Sequence, residues 1–149
     1  MGMGCTRVVE RVCAAMGQQE ACVRFESSQD VVNGGLLWAI PALLVNGLLK
    51  HTEKLSSPLK GFYSLTHILI LIAFMALARI KTVEQLRYYP PGEGGKLLGL
   101  DRIPEVRTLR EKIKQISAPE SVSEWGETLA REWMEANPEA AGVLYVDGH

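Results

Sequence analysis

The sequence predicts a mainly α-helical fold that ends in a single short strand. Apolar side chains recur at steps of three and four residues over Val106–Ile116, which is the spacing of one helix face. Residues 61–78 contain no Asp, Glu, Lys or Arg, which is typical of a buried helix. Residues 142–146, Gly-Val-Leu-Tyr-Val, are short and β-prone and therefore indicate a strand.

Charge is distributed unevenly along the chain. The formal net charge is −1, yet residues 79–117 carry nine basic and five acidic side chains, and residues 118–149 carry one basic and seven acidic. A basic middle segment suits an anionic partner. We expect three regions: a poorly defined N-terminal segment 1–32, a helical region 33–117, and a linker helix and strand in 118–149.

The helices are placed by local signals. We expect a short helix near residues 7–16, a longer one over 36–54 with Pro41 in its first turn, and an apolar one over 64–79. The Thr82-x-x-Gln85 spacing is that of a capping box and starts a short helix through Arg87. Further helices are expected from Pro104 to Ser117 and over 123–136. On the latter, Trp125, Leu129 and Trp133 form a packing stripe.

Two charge-free stretches raise the question of a membrane. Residues 31–49 and 61–78 are about as long as a spanning helix. The first is interrupted by Asn33, Gly34, Gly35, Pro41 and Asn46, and the second is fully apolar only over 68–78. We therefore expect buried core helices and no membrane, while a small membrane protein with a two-helix hairpin stays an alternative.

Cysteine and histidine positions favour an ordinary reduced protein. Cys5, Cys13 and Cys22 are odd in number and form no Cys-x-x-Cys motif, so we expect free thiols and a cytoplasmic location. His67 lies at the head of an apolar helix, and we expect it to be a hydrogen-bonded core histidine.

The helix that starts at Pro104 carries the best candidate for contact with DNA. Arg107, Arg110 and Lys114 lie opposite its apolar stripe at steps of three and four, so they share one face. The short helix from Thr82 to Arg87 would be the first helix of a helix-turn-helix. Supporting contacts are expected from Lys112, Arg102 and Lys96. The alternative is a solvated amphipathic helix in a bundle, that is, a helical protein-interaction module without a DNA role.

A single carboxylate follows the predicted strand. Asp147 would be held at the end of residues 142–146, which is where a Mg²⁺-dependent phosphoryl-transfer site places its first ligand. An Asp-Gly turn explains the same residues.

Several blocks of the chain together resemble prokaryotic DDE-type transposases, over about residues 33–149. The most specific blocks are Val106-Arg107-Thr108-Leu109-Arg110 and Tyr145-Val146-Asp147-Gly148-His149. Weaker ones are Asn33-Gly34-Gly35, Pro41-Ala42-Leu43-Leu44, Asn46-Gly47-Leu48-Leu49, Phe74-Met75-Ala76-Leu77-Ala78-Arg79-Ile80, Glu84-Gln85-Leu86-Arg87 and Gly95-Lys96-Leu97-Leu98-Gly99-Leu100-Asp101-Arg102.

The resemblance implies a helical DNA-binding region followed by a ribonuclease H-like catalytic domain. Asp147 matches the first metal-binding carboxylate, and Mg²⁺ is implied for the complete enzyme. The remaining carboxylates do not appear, so we expect a truncated transposase without cofactor or catalytic activity as this chain. Its implied partners are DNA and either the missing catalytic part or another transposase chain. A strand without its sheet would be loosely held or would pair with another chain.

Overall fold

A computed structural model describes residues 5–55 and 59–141. In that part of the chain all regular structure is helical. The α-helices are α1 Val8–Ala15, α2 Ile40–Val45, α3 Leu65–Leu77, α4 Pro91–Leu98, α5 Val106–Ile116, α6 Pro119–Ala136 and α7 Pro138–Ala141, and the 3-10 helices are Gly34–Ala39, Thr52–Lys54 and Val83–Tyr88. The mainly α prediction is confirmed, whereas the predicted strand 142–146 and Asp147 lie outside the described residues.

Helix α3 forms the centre of the core. It buries Ile68, Leu71 and Phe74 against residues from α4 and α5, which explains why this segment carries no charge. Its start is fixed by His67, whose Nδ1 accepts the backbone N–H of Ser64 at 3.1 Å. The predicted buried helix is thus confirmed. No helix among the described residues is both long and apolar enough to cross a membrane.

The helix predicted over 36–54 is wrong in extent. A 3-10 helix, Gly34–Ala39, leads into the short α2, which ends at Val45 with Asn46 as its C-cap. Gly47 adopts a φ of +94°, and the N–H of Leu48 donates to the carbonyl of Leu43 at 3.0 Å. This is a Schellman C-cap, in which a left-handed glycine terminates the helix. The Asn46-Gly47 pair was the available sequence signal.

Helix α4 was not predicted as a helix, because its sequence contains Gly92, Gly94 and Gly95. Pro91 occupies its first turn, and Gly99, with a φ of +65°, ends it. A methyl group built on Gly95 would lie 2.5 Å from the Cα of Arg102. The glycine therefore allows the loop between α4 and α5 to pack directly on the helix backbone.

Helix α6 packs against the segment that follows α2. The indole N–H of Trp125 donates to the carbonyl of Lys50 at 2.7 Å, and that of Trp133 to the carbonyl of Asn46 at 3.0 Å. Leu129, between them on the same face, is buried. The predicted packing stripe is confirmed, and the helix begins at Pro119, four residues earlier than expected.

The N-terminal segment is attached to the rest of the fold through α1. Residues 5–32 contain this one helix, close to the expected 7–16, and the backbone N–H of Arg24 donates to the carbonyl of Gly99 at 2.8 Å. Cys5, Cys13 and Cys22 are free thiols, as predicted.

Candidate nucleic-acid interface

Helix α5 is anchored by the apolar stripe that the sequence predicts. Leu109 and Ile116 are buried, and Val106 and Ile113 pack against the same core. The helix begins at Val106 and not at Pro104, because Glu105 still has extended backbone angles, with a ψ of 152°. Burial of this stripe fixes the rotation of the helix about its axis, and so fixes which side chains face outward.

The outward side of α5 carries three cations. Arg107, Arg110 and Lys114, here called the α5 basic face, are all exposed, with 89% and 64% of the two arginine side chains accessible. Arg107 pairs with Glu111 at 3.1 Å, and Arg110 pairs with Glu84 of the 3-10 helix Val83–Tyr88. The structure therefore brings these three predicted residues together.

The three supporting residues are distributed differently. Lys112 is only 8% exposed, and its ammonium donates to the backbone carbonyl of Lys60, so it does not share the α5 basic face. Burial lowers the pKa of this ammonium. Lys96 pairs with Glu93 within α4 at 2.8 Å. Arg102 is mostly buried and pairs with Glu105 at 3.1 Å, close to the start of α5.

The 3-10 helix Val83–Tyr88 packs against α5, but it does not precede it directly. Helix α4 lies between the two in the chain, so they are not joined by the tight turn of a helix-turn-helix. The predicted capping box is present, since Gln85 Oε1 accepts the N–H of Thr82 at 3.4 Å and that of Lys81 at 2.7 Å. The packing of the two elements places Glu84 and Arg87 beside the α5 basic face.

Acidic residues of α6 pair with a different set of basic side chains. Glu132 pairs with Lys50 at 3.1 Å and with His51 at 2.5 Å, and Glu124 pairs with Lys54 at 2.8 Å. These contacts engage the basic side chains of the segment after α2. Glu124 and Glu132 of α6 thus pair with side chains of that segment, and not with the α5 basic face.

A cleft of about 340 Å³ opens between the end of the 3-10 helix Val83–Tyr88 and the start of α5. Arg87, Arg102 and Arg107 all line it. Sequence reasoning did not identify Arg87 or the cleft, because the three arginines belong to segments that only the fold brings together.

No group of three or more His, Cys, Asp or Glu side chains within residues 5–55 and 59–141 is arranged to hold a metal ion. Asp147, the residue through which the resemblance implies Mg²⁺, lies outside these ranges. The metal site therefore stays a prediction.

Taken together, the described residues define a small, mainly helical protein with a basic helix face beside an arginine-lined cleft. The chain belongs to the family described as "Transposase protein", whose model matches residues 2–149. This membership supports a transposase-related function. No curated protein and no solved structure matches the chain.

Proposed function

We propose that this chain contributes DNA binding to a transposase through the α5 basic face, Arg107, Arg110 and Lys114. The observation that carries the proposal is the orientation of α5. Leu109 and Ile116 fix its apolar side in the core, so the three cations project outward together. Because the helix backbone is fixed against the core, the three side chains start from one side of α5 and can contact phosphates or base edges together.

The carboxylates beside these cations leave them available for DNA. Glu111 and Glu84 form exposed ion pairs with Arg107 and Arg110, and such pairs contribute about 0.2–1 kcal/mol each. A guanidinium has five N–H donors, so either arginine can keep its carboxylate partner and still donate to a phosphate oxygen. In the part of the chain that the structure describes, no carboxylate pairs with Lys114.

The chemistry of strand transfer is implied by the resemblance to DDE-type transposases. In that resemblance Asp147 is the first of several carboxylates that would hold Mg²⁺ in a complete enzyme. A DDE-type mechanism is thus part of the proposed function, and the described residues support its DNA-binding step.

Charge reversal tests the proposal directly. Arg107→Glu with Arg110→Glu should weaken binding to a fluorescein-labelled duplex at least about 10-fold, as measured by fluorescence anisotropy at low salt. Arg131→Glu is the matched control, because Arg131 is an exposed arginine on α6, and it should have a smaller effect. Circular dichroism checks that each variant is folded.

Two results would contradict the proposal. Unchanged affinity in the double variant would show that the α5 basic face does not contact DNA. The absence of any salt-sensitive retention of the wild-type protein on DNA would favour a helical protein-interaction module instead.

A further inference from the structure

The arginine-lined cleft has a shape of its own, distinct from the convex α5 basic face. Its volume of about 340 Å³ is at the lower end of the range for small-molecule sites, roughly 300–1,000 Å³. It is bounded on one side by the end of the 3-10 helix Val83–Tyr88 and on the other by the loop that enters α5. A convex helix face suits the groove of a duplex, whereas a cleft of this size suits one small ligand.

The rim of the cleft is cationic. Arg87, Arg102 and Arg107 line it, and Glu105 is the acidic side chain beside them. Arg102 is the most shielded of the three arginines, with 19% of its side chain exposed against 70% for Arg87 and 89% for Arg107. An anion bound there would interact with Arg102 through less water, and hence more strongly, than with an exposed arginine.

The floor and walls are apolar. Leu86 and Ile103 are buried at the base, and Pro91, Pro104 and Tyr89 form the sides. The hydroxyl of Tyr89 donates to the carbonyl of Val32 at 2.9 Å, which anchors the ring. The cleft therefore combines an apolar interior with a positive rim, which matches a ligand with a weakly polar body and an anionic group.

We propose that this cleft binds one nucleotide unit of DNA, with its phosphate at Arg87, Arg102 and Arg107 and its sugar and base against the apolar floor. The identification of DNA as the source rests on the proposed function above. Arg107 belongs to both the cleft and the α5 basic face, so a strand that crosses α5 can deliver one unpaired nucleotide into the cleft. Stacking of a base on an aromatic side chain contributes about 1–3 kcal/mol, and Tyr89 is the aromatic residue that lines the cleft.

The ion pairs around the cleft are compatible with this role. Arg87 pairs with Glu84 at 3.5 Å, Arg102 with Glu105 at 3.1 Å, and each pair joins residues three apart in sequence. Local pairs of this kind hold the guanidinium groups in place without filling their donor capacity. The long-range side-chain contact of Arg102, to the Sγ of Cys5 at 3.7 Å, is a weak one, so a phosphate can bind at little cost.

The test uses thymidine 5′-monophosphate as the probe in an NMR titration of the full chain, observed at the backbone amides of Leu86, Tyr89 and Ile103. The wild-type protein should show saturable shifts at these three sites. Arg87→Gln and Arg102→Gln should each weaken binding about 5-fold or more. Arg131→Gln is the control, since Arg131 is an exposed arginine on α6 that neither lines the cleft nor belongs to the α5 basic face, and it should bind the probe like the wild type. Arg87 is mostly exposed, so Arg87→Gln keeps the test valid if Arg102→Gln fails to fold.

Comparison with thymidine and with inorganic phosphate separates the possible ligands. The inference predicts that the monophosphate binds more tightly than either. Equal binding of inorganic phosphate would overturn it in favour of a simple anion site, and wild-type affinity in Arg87→Gln would also overturn it. If these tests fail while charge reversal on α5 still weakens duplex binding, only the cleft assignment is lost.

Discussion

The carboxylate of Asp101 binds the guanidinium of Arg11, ninety residues earlier in the chain, at 2.5 Å. Asp101 also accepts the backbone N–H groups of Thr6 and Arg7, at 3.1 and 3.2 Å. The Arg11 guanidinium lies 3.9 Å from the ring centroid of Phe62. This network fastens the N-terminal segment to the loop between α4 and α5, and the residue after Asp101 is the cleft residue Arg102.

Removal of this carboxylate should destabilise the fold strongly. Only 3% of the Asp101 side chain and 20% of the Arg11 side chain are exposed, and removing one partner of a pair costs up to about 3–5 kcal/mol when both are fully buried. We expect Asp101→Asn to lower the free energy of unfolding by an amount near the lower end of that range, because the amide can still accept the backbone N–H groups. Urea denaturation measures it. The control is Arg24→Gln, which removes an exposed pair with Glu10 and should cost less than about 1 kcal/mol.

The ion pair between Arg11 and Asp101 should make the stability of the protein depend on pH in the acid range. Burial alone would raise the pKa of Asp101, but hydrogen bonds from Arg11, Arg7 and Thr6 outweigh it and hold the pKa below its usual value. The stabilisation is therefore complete above about pH 5 and is lost as pH falls below about 4. The difference in unfolding free energy between wild type and Asp101→Asn should shrink in that window. A difference that stays constant down to pH 2 would show that the pair contributes no charge-dependent stability.

His67 should make the wild-type protein less stable in mild acid. Burial is the main cause of its lowered pKa, with smaller opposing effects from Glu20, which raises it, and Arg7, which lowers it. Its Nε2 is buried without a hydrogen-bond partner among the described residues. Because the unfolded chain binds a proton more readily, stability falls as pH drops below about 6.5.

The substitution His67→Gln isolates this effect. Glutamine at the third position of a helix preserves the capping box with Ser64 but cannot titrate. Between pH 7.5 and 5, the wild type should lose unfolding free energy relative to His67→Gln in urea titrations. Parallel stability curves over this interval would refute the prediction.

Replacing each of two glycines by alanine should change the stability of the protein in opposite directions. Gly95→Ala places a methyl group 2.5 Å from backbone atoms of Arg102, so the α4–α5 loop must shift, at a cost of about 1–3 kcal/mol. Gly126 lies within α6, and a methyl group built on it would have no atom within 4 Å. Gly126→Ala should therefore stabilise the protein by about 0.5–1 kcal/mol. The melting temperatures of the two variants and the wild type measure both effects. A Gly95→Ala protein that is more stable than the wild type would contradict the packing of Arg102 on Gly95.

Lys112 should be dispensable for DNA binding although it lies on α5. Its ammonium is buried against the carbonyl of Lys60, away from the α5 basic face. We expect Lys112→Met to leave the dissociation constant for duplex DNA within about 2-fold of wild type, because no phosphate contact is removed. A 10-fold loss in a folded Lys112→Met protein would show that this side chain reaches DNA.

The sequence predicted the structure best where apolar residues followed a single helical spacing. Val106, Leu109, Ile113 and Ile116 predicted both the helix and its exposed face, because burial follows helical spacing directly. It was least informative where tertiary contact overrode local propensity. Gly95 lies within α4 although glycine disfavours helices. The absence of a side chain there lets the backbone of Arg102 pack directly against the helix.

The cleft could not be predicted from sequence at all. Arg87 and Arg102 are fifteen positions apart, and only the packing of the 3-10 helix Val83–Tyr88 on α5 brings them to one rim. Asp147 stays a prediction, because it lies outside the described residues.

The most direct test of DNA binding by α5 is the salt dependence of duplex affinity. Each phosphate contact steepens the plot of log affinity against log salt concentration by about 0.9. Replacing both Arg110 and Lys114 by glutamine should therefore make the slope shallower by up to about 1.8, while Arg131→Gln should leave it as in the wild type. A slope identical in all three proteins would contradict the account.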